Sequence, residues 1–271
     1  MTAPLLYIHV RRNFALAALI FGLCLPARAK GKPDSNALQS AFAAKSAALA
    51  PAAITQLQHP IILDPGHGGD DLGAVVAGRQ EKDIALSIAR KLKNRLKVPA
   101  QLTRDTDVFI PLDRRISESL QWNGAAFISL HLNQVKQKNL SGITVYAFGK
   151  SAYRILRRRW HHHHGPPPIP APPREQVKDS GALARSVVRA LGLAGFKVDP
   201  IARAEYYVLK NPKIPSILIE LGYLSNAKEA ARLSDPAYQD RLADALAKSL
   251  TEYLVASSSP KTARSLALVK N

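Results

Sequence analysis

The chain of 271 residues contains a single cysteine, Cys24. Without a second one no internal disulfide can form, and any metal site downstream of it must use histidine and carboxylate ligands rather than thiolate. Leu23 stands before Cys24 where a lipid-attachment signal needs a small residue, so a lipoprotein is not expected. Acidic residues are also scarce, with 20 Asp and Glu against 38 Lys and Arg and a formal net charge of +18. That surplus favours an anionic partner without choosing one. The chain shows neither a basic patch interleaved with aromatics nor a familiar nucleic-acid motif, so no nucleic acid is expected. Its apolar run at 14–25 is too short to span a bilayer comfortably.

The apolar fraction of 46% suits a folded core and excludes a wholly disordered chain. Arg11 and Arg12 precede the apolar run, and Ala27-Arg28-Ala29 follows it, which is the layout of a signal peptide at 1–29 cleaved after Ala29. An uncleaved N-terminal anchor is the other reading. Removal of 1–29 takes three basic residues (Arg11, Arg12 and Arg28) and leaves +15. For a protein exported to the periplasm or cell envelope, cell-wall polymers and anionic lipid head groups are then the expected anionic partners.

Residues 30–58, rich in Ala, Ser, Gln and Lys, read as a flexible linker, and one domain is expected over 59–255. The run 61–63, ended by Asp64-Pro65-Gly66, reads as a buried strand stopping at a turn. From Glu81 the period changes: Ile84, Ile88, Leu92 and Leu96 recur at helical spacing. Further strands are expected at 101–103, 125–130, 143–148 and 216–220. Further helices are expected around Leu112, Ile116 and Leu120, at 175–191 and at 237–254. Residues 150–174 form a basic, His- and Pro-rich insertion, and 256–271 a basic tail. The four adjacent histidines His161 to His164 make a poor preorganised metal site on such a loop. Alternating strands and helices give an α/β fold with a mostly parallel sheet flanked by helices on both faces. In such sheets the working residues collect beyond the carboxyl ends of the strands.

His67, His131 and Glu220 fall at predicted strand ends, and Glu81 opens the first long helix. Each histidine alone reads more readily as a satisfied core residue; two at parallel strand ends, beside glycines, suit a metal. With Glu81 they would complete a two-histidine, one-glutamate set, although Glu81 also fits a helix N-terminus favoured by the macrodipole. Glu220, directly after Ile-Leu-Ile, is costly to bury unless paired or functional; a strand-end salt bridge is the plainer alternative.

DPGHGGDDLGA (64–74), EKDIAL (81–86), ISLHLN (128–133) with Gly142 after it, PSILIELGYLSN (215–226) and, more weakly, LTRDTD (102–107) resemble the zinc-dependent N-acetylmuramoyl-L-alanine amidases in the family's order. The resemblance implies Zn2+ held by His67, Glu81 and His131 as metal ligands, with Glu220 as the catalytic carboxylate that takes a proton from water and returns it to the alanine nitrogen. It also implies a central six-stranded sheet and peptidoglycan as substrate. Asp64 would orient the His67 ring or simply form the turn before Pro65. Asn133 would position substrate, support the metal site or cap a strand. Some relatives carry an inserted helix that blocks the zinc until an activator protein withdraws it. The composition of 150–174 argues against that form of autoinhibition here, and a monomer is expected. A zinc peptidase acting inside stem peptides, and a non-catalytic wall-binding protein on the same scaffold, are the alternatives; the second predicts a missing ligand, and none is missing.

Overall fold

The computed structural model describes residues 58–150 and 168–258. The expected signal peptide, nearly all of the linker, residues 151–167 of the insertion and the tail from 259 lie outside the described residues.

The strands are β1 (Ile61–Pro65), β2 (Val75–Val76), β3 (Arg79–Gln80), β4 (Ala100–Leu102), β5 (Ala126–Asn133), β6 (Thr144–Phe148), β7 (Ala202–Ala204) and β8 (Ser216–Tyr223). The helices are α1 (Glu81–Arg95), α2 (Leu112–Gln121), α3 (Arg174–Leu193), α4 (Ala227–Leu233) and α5 (Pro236–Ser257), with a 3₁₀ turn at Tyr207–Leu209. Six strands form one sheet in the order β4-β1-β5-β8-β6-β7, and β2 and β3 make a separate hairpin. The first four run parallel; β6 is antiparallel to β8, and β7 is parallel to β6. This is the single α/β domain with a mostly parallel six-stranded sheet that the sequence leads one to expect.

β1 is apolar without alternation because both of its faces are covered. Ile61 and Leu63 face a core shared with Ile84, Ile88 and Leu92 of α1, Leu183 and Val187 of α3, and Leu246 and Leu250 of α5. Ile62 faces the opposite way, into a thinner cluster of Phe127, Val208, Leu209, Ile214 and Leu218 against which Leu112 and Trp122 pack. α1 and α5 are also joined by Lys91–Asp240 and Arg95–Asp240 ion pairs at 2.6 and 2.7 Å; pairs this accessible contribute little to stability. Asn226 caps α4 by accepting from the amides of Lys228 and Glu229. Asp235 caps α5 with Pro236 in its first turn.

Three local outcomes differ from the sequence reading. β5 and β8 continue past residues 130 and 220, so His131 stands within its strand rather than after it, and Glu220 within its strand rather than at its end. Both strands have hydrogen-bonded neighbours on each side, and a register shift between His131 and Asn133 marks where β5 loosens. The sixth strand is β7, three residues long, too short to leave a pattern. α5 runs to Ser257, two residues into the stretch expected as tail, because Leu254 is buried and anchors its last turn. Among the described residues no helix is long and apolar enough to cross a membrane.

Candidate metal centre

β1 delivers the chain to the carboxyl edge of the sheet, where the Gly66 amide donates to the Leu130 carbonyl at 3.0 Å. Gly66 lies so close to the His131 ring that a Cβ there would fall 2.2 Å from Cε1 and 2.5 Å from Nε2. His67 then adopts φ of 60°, a left-handed conformation unusual for a residue with a Cβ. Gly73 closes the loop at φ of +66°, and a Cβ there would meet Glu81 Oε2 and His67 Cδ2, each at 2.6 Å. These two glycines let two histidines and a glutamate from three elements converge.

Glu81 is the first residue of α1 and is 4% exposed. Its Oε2 accepts from the Ala74 amide at 2.8 Å, and its Oε1 accepts from the Leu132 amide at 2.9 Å. Oε1 also faces His131 Nδ1 at 3.0 Å and His67 Nε2 at 3.1 Å. The carboxylate thus reaches away from its helix and between the two rings, whose centroids are 4.9 Å apart at 80°. One donor atom from each of His67, Glu81 and His131 lies within 4.8 Å of the others. Burial alone would raise the Glu81 carboxyl, but hydrogen bonds and charge from His131 and His67 hold it well below its usual range. His67 moves the opposite way: burial opposes its protonation, yet Asp71 and Glu81 raise it to about 9. The Glu81 and Asp71 carboxylates beside the two imidazoles, with one donor atom from each of His67, Glu81 and His131 within 4.8 Å, make a donor set compatible with a cation.

Glu220 pairs in register with His131 across β5 and β8. The residue keeps partial exposure, but its Oε2 is buried and has no hydrogen-bond partner among the described residues. Burial first, and then the Glu81 charge, push its carboxyl up to about 8, with His67 pulling it down. The plainer alternative of a strand-end salt bridge is not realised among the described residues, where no ion pair involves Glu220.

Asp64 does not serve the His67 ring. Its oxygens accept from Thr103 Oγ1, Ser129 Oγ and Arg115 Nη1, each at 2.7 Å. The carboxylate on the second nitrogen of His67 belongs to Asp71, whose Oδ2 lies 2.9 Å from Nδ1. Asp64 is followed by Pro65 in a fully buried strand, which aims its side chain at the neighbouring strands and away from the loop. Asn133 closes β5 and is tied through its main chain, its carbonyl accepting from the Leu224 amide at 2.8 Å. The sequence reading passed over Asp71, Arg104 and Arg115. Asp71 sits four residues after His67 inside a quoted motif and could have been weighed; the two arginines have no distinguishing signal in so basic a chain.

Fold and centre together define an α/β protein with a largely buried His–Glu–His cluster, compatible with a metal, at the carboxyl edge of its sheet. The chain belongs to the N-acetylmuramoyl-L-alanine amidase family, which it matches over residues 61–252. It is similar to the N-acetylmuramoyl-L-alanine amidase AmiC of Neisseria meningitidis serogroup B, 31% identical over 217 residues, covering 72% of this chain and 52% of that one. The chain therefore spans about half the length of that relative. Among solved structures it resembles the N-acetylmuramoyl-L-alanine amidase AmiC2 of Nostoc punctiforme, with a TM-score of 0.60, 30% identity and coverage of 73% and 97%. It also resembles the CwlD amidase of Clostridioides difficile, solved in complex with the GerS lipoprotein, with a TM-score of 0.54, 28% identity and coverage of 73% and 99%.

Proposed function

We propose that this protein hydrolyses the amide bond between N-acetylmuramic acid and L-alanine in peptidoglycan, with zinc held by His67, Glu81 and His131 and with Glu220 as the proton carrier. The observation that carries the reading is the pairing of a three-ligand cluster within 4.8 Å with a partly exposed glutamate, in register beside it, whose Oε2 has no hydrogen-bond partner among the described residues. Two imidazoles and one carboxylate are a set that zinc accepts in catalytic sites while keeping a further position for substrate or water. When bound, zinc supplies Lewis acidity at the scissile carbonyl and makes water nucleophilic near neutral pH.

The remaining chemistry belongs to the chain. Asp71 on Nδ1 fixes the orientation of the His67 ring and directs Nε2 to the centre. The amides of Ala74 and Leu132 hold both oxygens of Glu81, so its carboxylate cannot rotate away. Glu220 accepts the proton of the attacking water as the lactyl carbonyl is attacked and returns it to the alanine nitrogen, which leaves as an amine. Burial and the neighbouring Glu81 charge push the Glu220 carboxyl upward, which favours its holding the proton between taking it from water and giving it to the nitrogen.

Export to the cell envelope is part of the same proposal, supported by the signal-like segment at 1–29. A protein activator is a further part, supported by the lipoprotein complex of the CwlD relative. Digestion of purified peptidoglycan by the full chain, with and without zinc and beside Glu220→Gln, tests the reading. Zinc-dependent release of stem peptides bearing a free alanine amine, absent in the variant, is expected. Cleavage inside the stem would sink the amidase assignment and leave the metal site standing.

A further inference from the structure

The LTRDTD stretch at 102–107 follows the family's pattern yet takes no part in the chemistry above. Its Arg104 is 2% exposed. The guanidinium donates to main-chain carbonyls throughout: Nε to Pro65 at 3.0 Å, Nη1 to Thr106 at 3.2 Å, and Nη2 to both Gly66 and Lys82 at 2.8 Å. Pro65 and Gly66 lead directly into His67, and Lys82 directly follows Glu81. One nitrogen therefore ties together the two main-chain segments that carry two of the candidate ligands.

Arg115 braces the same loop from its other side, with Nη1 on Pro65 at 2.9 Å and Nη2 on His67 at 2.9 Å. Every carbonyl from Pro65 to His67 thus has a guanidinium donor. Only Arg104, of the two, also holds the start of α1. Among the described residues no carboxylate is a hydrogen-bond partner of Arg104, and burial together with the Arg115 charge works against its ionised form. Burying a cation against neutral carbonyls costs stability that an apolar strut would not. Its use here makes sense if the fork geometry itself is needed.

We infer that Arg104 is a positioning residue that fixes the separation of His67 from Glu81 and thereby sets the affinity of the centre for its metal. The inference rests on the metal reading of the site proposed above. Lysine cannot replace it, because one ammonium cannot span the Pro65, Gly66 and Lys82 carbonyls as a planar fork does.

The test is a zinc titration of the full chain against a competing chelator, for wild type, Arg104→Lys and Arg104→Met, with Asn211→Ala as a control. Asn211 is buried in a structural role far from the ligands in sequence, donating to Ser119 Oγ and accepting from the Lys213 and Ile214 amides. Both Arg104 variants should bind zinc about 10- to 100-fold more weakly, the effect typical of lost supports around a metal. The control should lower Tm while leaving zinc affinity unchanged. The cobalt-substituted Arg104→Lys protein, which keeps the charge and most of the packing, should show altered ligand-field bands, a change that global destabilisation alone does not produce. Wild-type zinc affinity and bands in folded Arg104→Lys would overturn the inference, as would an affinity that simply follows Tm through the control. A wild type that binds no zinc would instead overturn the metal reading itself.

Discussion

His131 and Glu220 stand opposite each other on adjacent parallel strands, so the sheet register itself sets a candidate ligand beside a carboxylate with a partnerless oxygen. In parallel pairs, partners project to the same face. Their separation is therefore set by the main-chain pairing of β5 and β8 and does not depend on a loop.

Replacing Glu220 with Gln keeps the shape and removes the proton carrier. Peptidoglycan hydrolysis should fall by about 100- to 10,000-fold, the usual worth of a general acid–base group. Zinc affinity should stay within the wild-type range, because Glu220 is outside the ligand set. A parallel assay of hydrolysis and metal binding checks both halves, and loss of binding would place Glu220 among the ligands.

Asp71→Ala removes the carboxylate on the far nitrogen of His67. Zinc affinity should weaken by about 10- to 100-fold. Asp64→Ala, by contrast, should act chiefly on stability, since Asp64 is engaged with Thr103, Ser129 and Arg115. A chelator competition series on the two variants, read beside their thermal melts, separates these outcomes.

Gly66→Ala should be harmful for a steric reason alone, because its φ is not among the positive values that demand glycine. The new Cβ would overlap the His131 ring at 2.2 Å. Overpacking of this kind costs about 1–3 kcal/mol, and displacement of the ring should weaken zinc binding in the same protein. Unaltered metal affinity in a folded Gly66→Ala protein would show that the ring can be moved without consequence.

Acid should loosen the loop through Asp64. Burial alone would raise this carboxyl, but the Arg115 guanidinium and hydrogen bonds from Ser129, Thr103 and Arg115 leave it below the ordinary 3.8. The folded state therefore binds its proton less tightly than the unfolded state, and stability rises with pH. The contribution is complete above about pH 5 and is lost as pH falls through 3.8 toward the depressed folded value. Thermal melts of wild type and Asp64→Asn should differ most near neutrality and converge below pH 3.8. A constant gap across that window would count against the assignment.

Much of this was legible in the residues. The Ile61-Ile62-Leu63 run had to be a doubly covered strand, and the spacing of Ile84, Ile88 and Leu92 had to be a helix, because burial on a sheet allows few other solutions. His67, Glu81 and His131 were visible through their placement at element ends, and Glu220 through its apolar neighbours. Reading Asp64 as a partner of the His67 ring failed because its neighbourhood in sequence is the His67 loop, whereas its neighbourhood in space is Ser129 on β5, Thr103 just after β4 and Arg115 on α2. Arg104 and Arg115 were invisible for a related reason: their partners are main-chain carbonyls 39 and 50 residues earlier, which carry no side-chain signature.

The reversed direction of β6 carries a further implication. Thr144 lies beside Glu220, and Ala147 beside Ile217, so Phe148 leaves the sheet at the rim opposite the ligands, about 13 Å away at about 3.3 Å per residue. The chain re-enters at Arg174 and, through α3, reaches β7, which again runs away from the ligand rim. Both roots of the 150–174 insertion therefore stand at the rim of the sheet opposite the candidate ligands. Lengthening, shortening or grafting at these roots acts on the chain where it leaves and rejoins the fold about 13 Å from the Glu220 rim, at about 3.3 Å per residue.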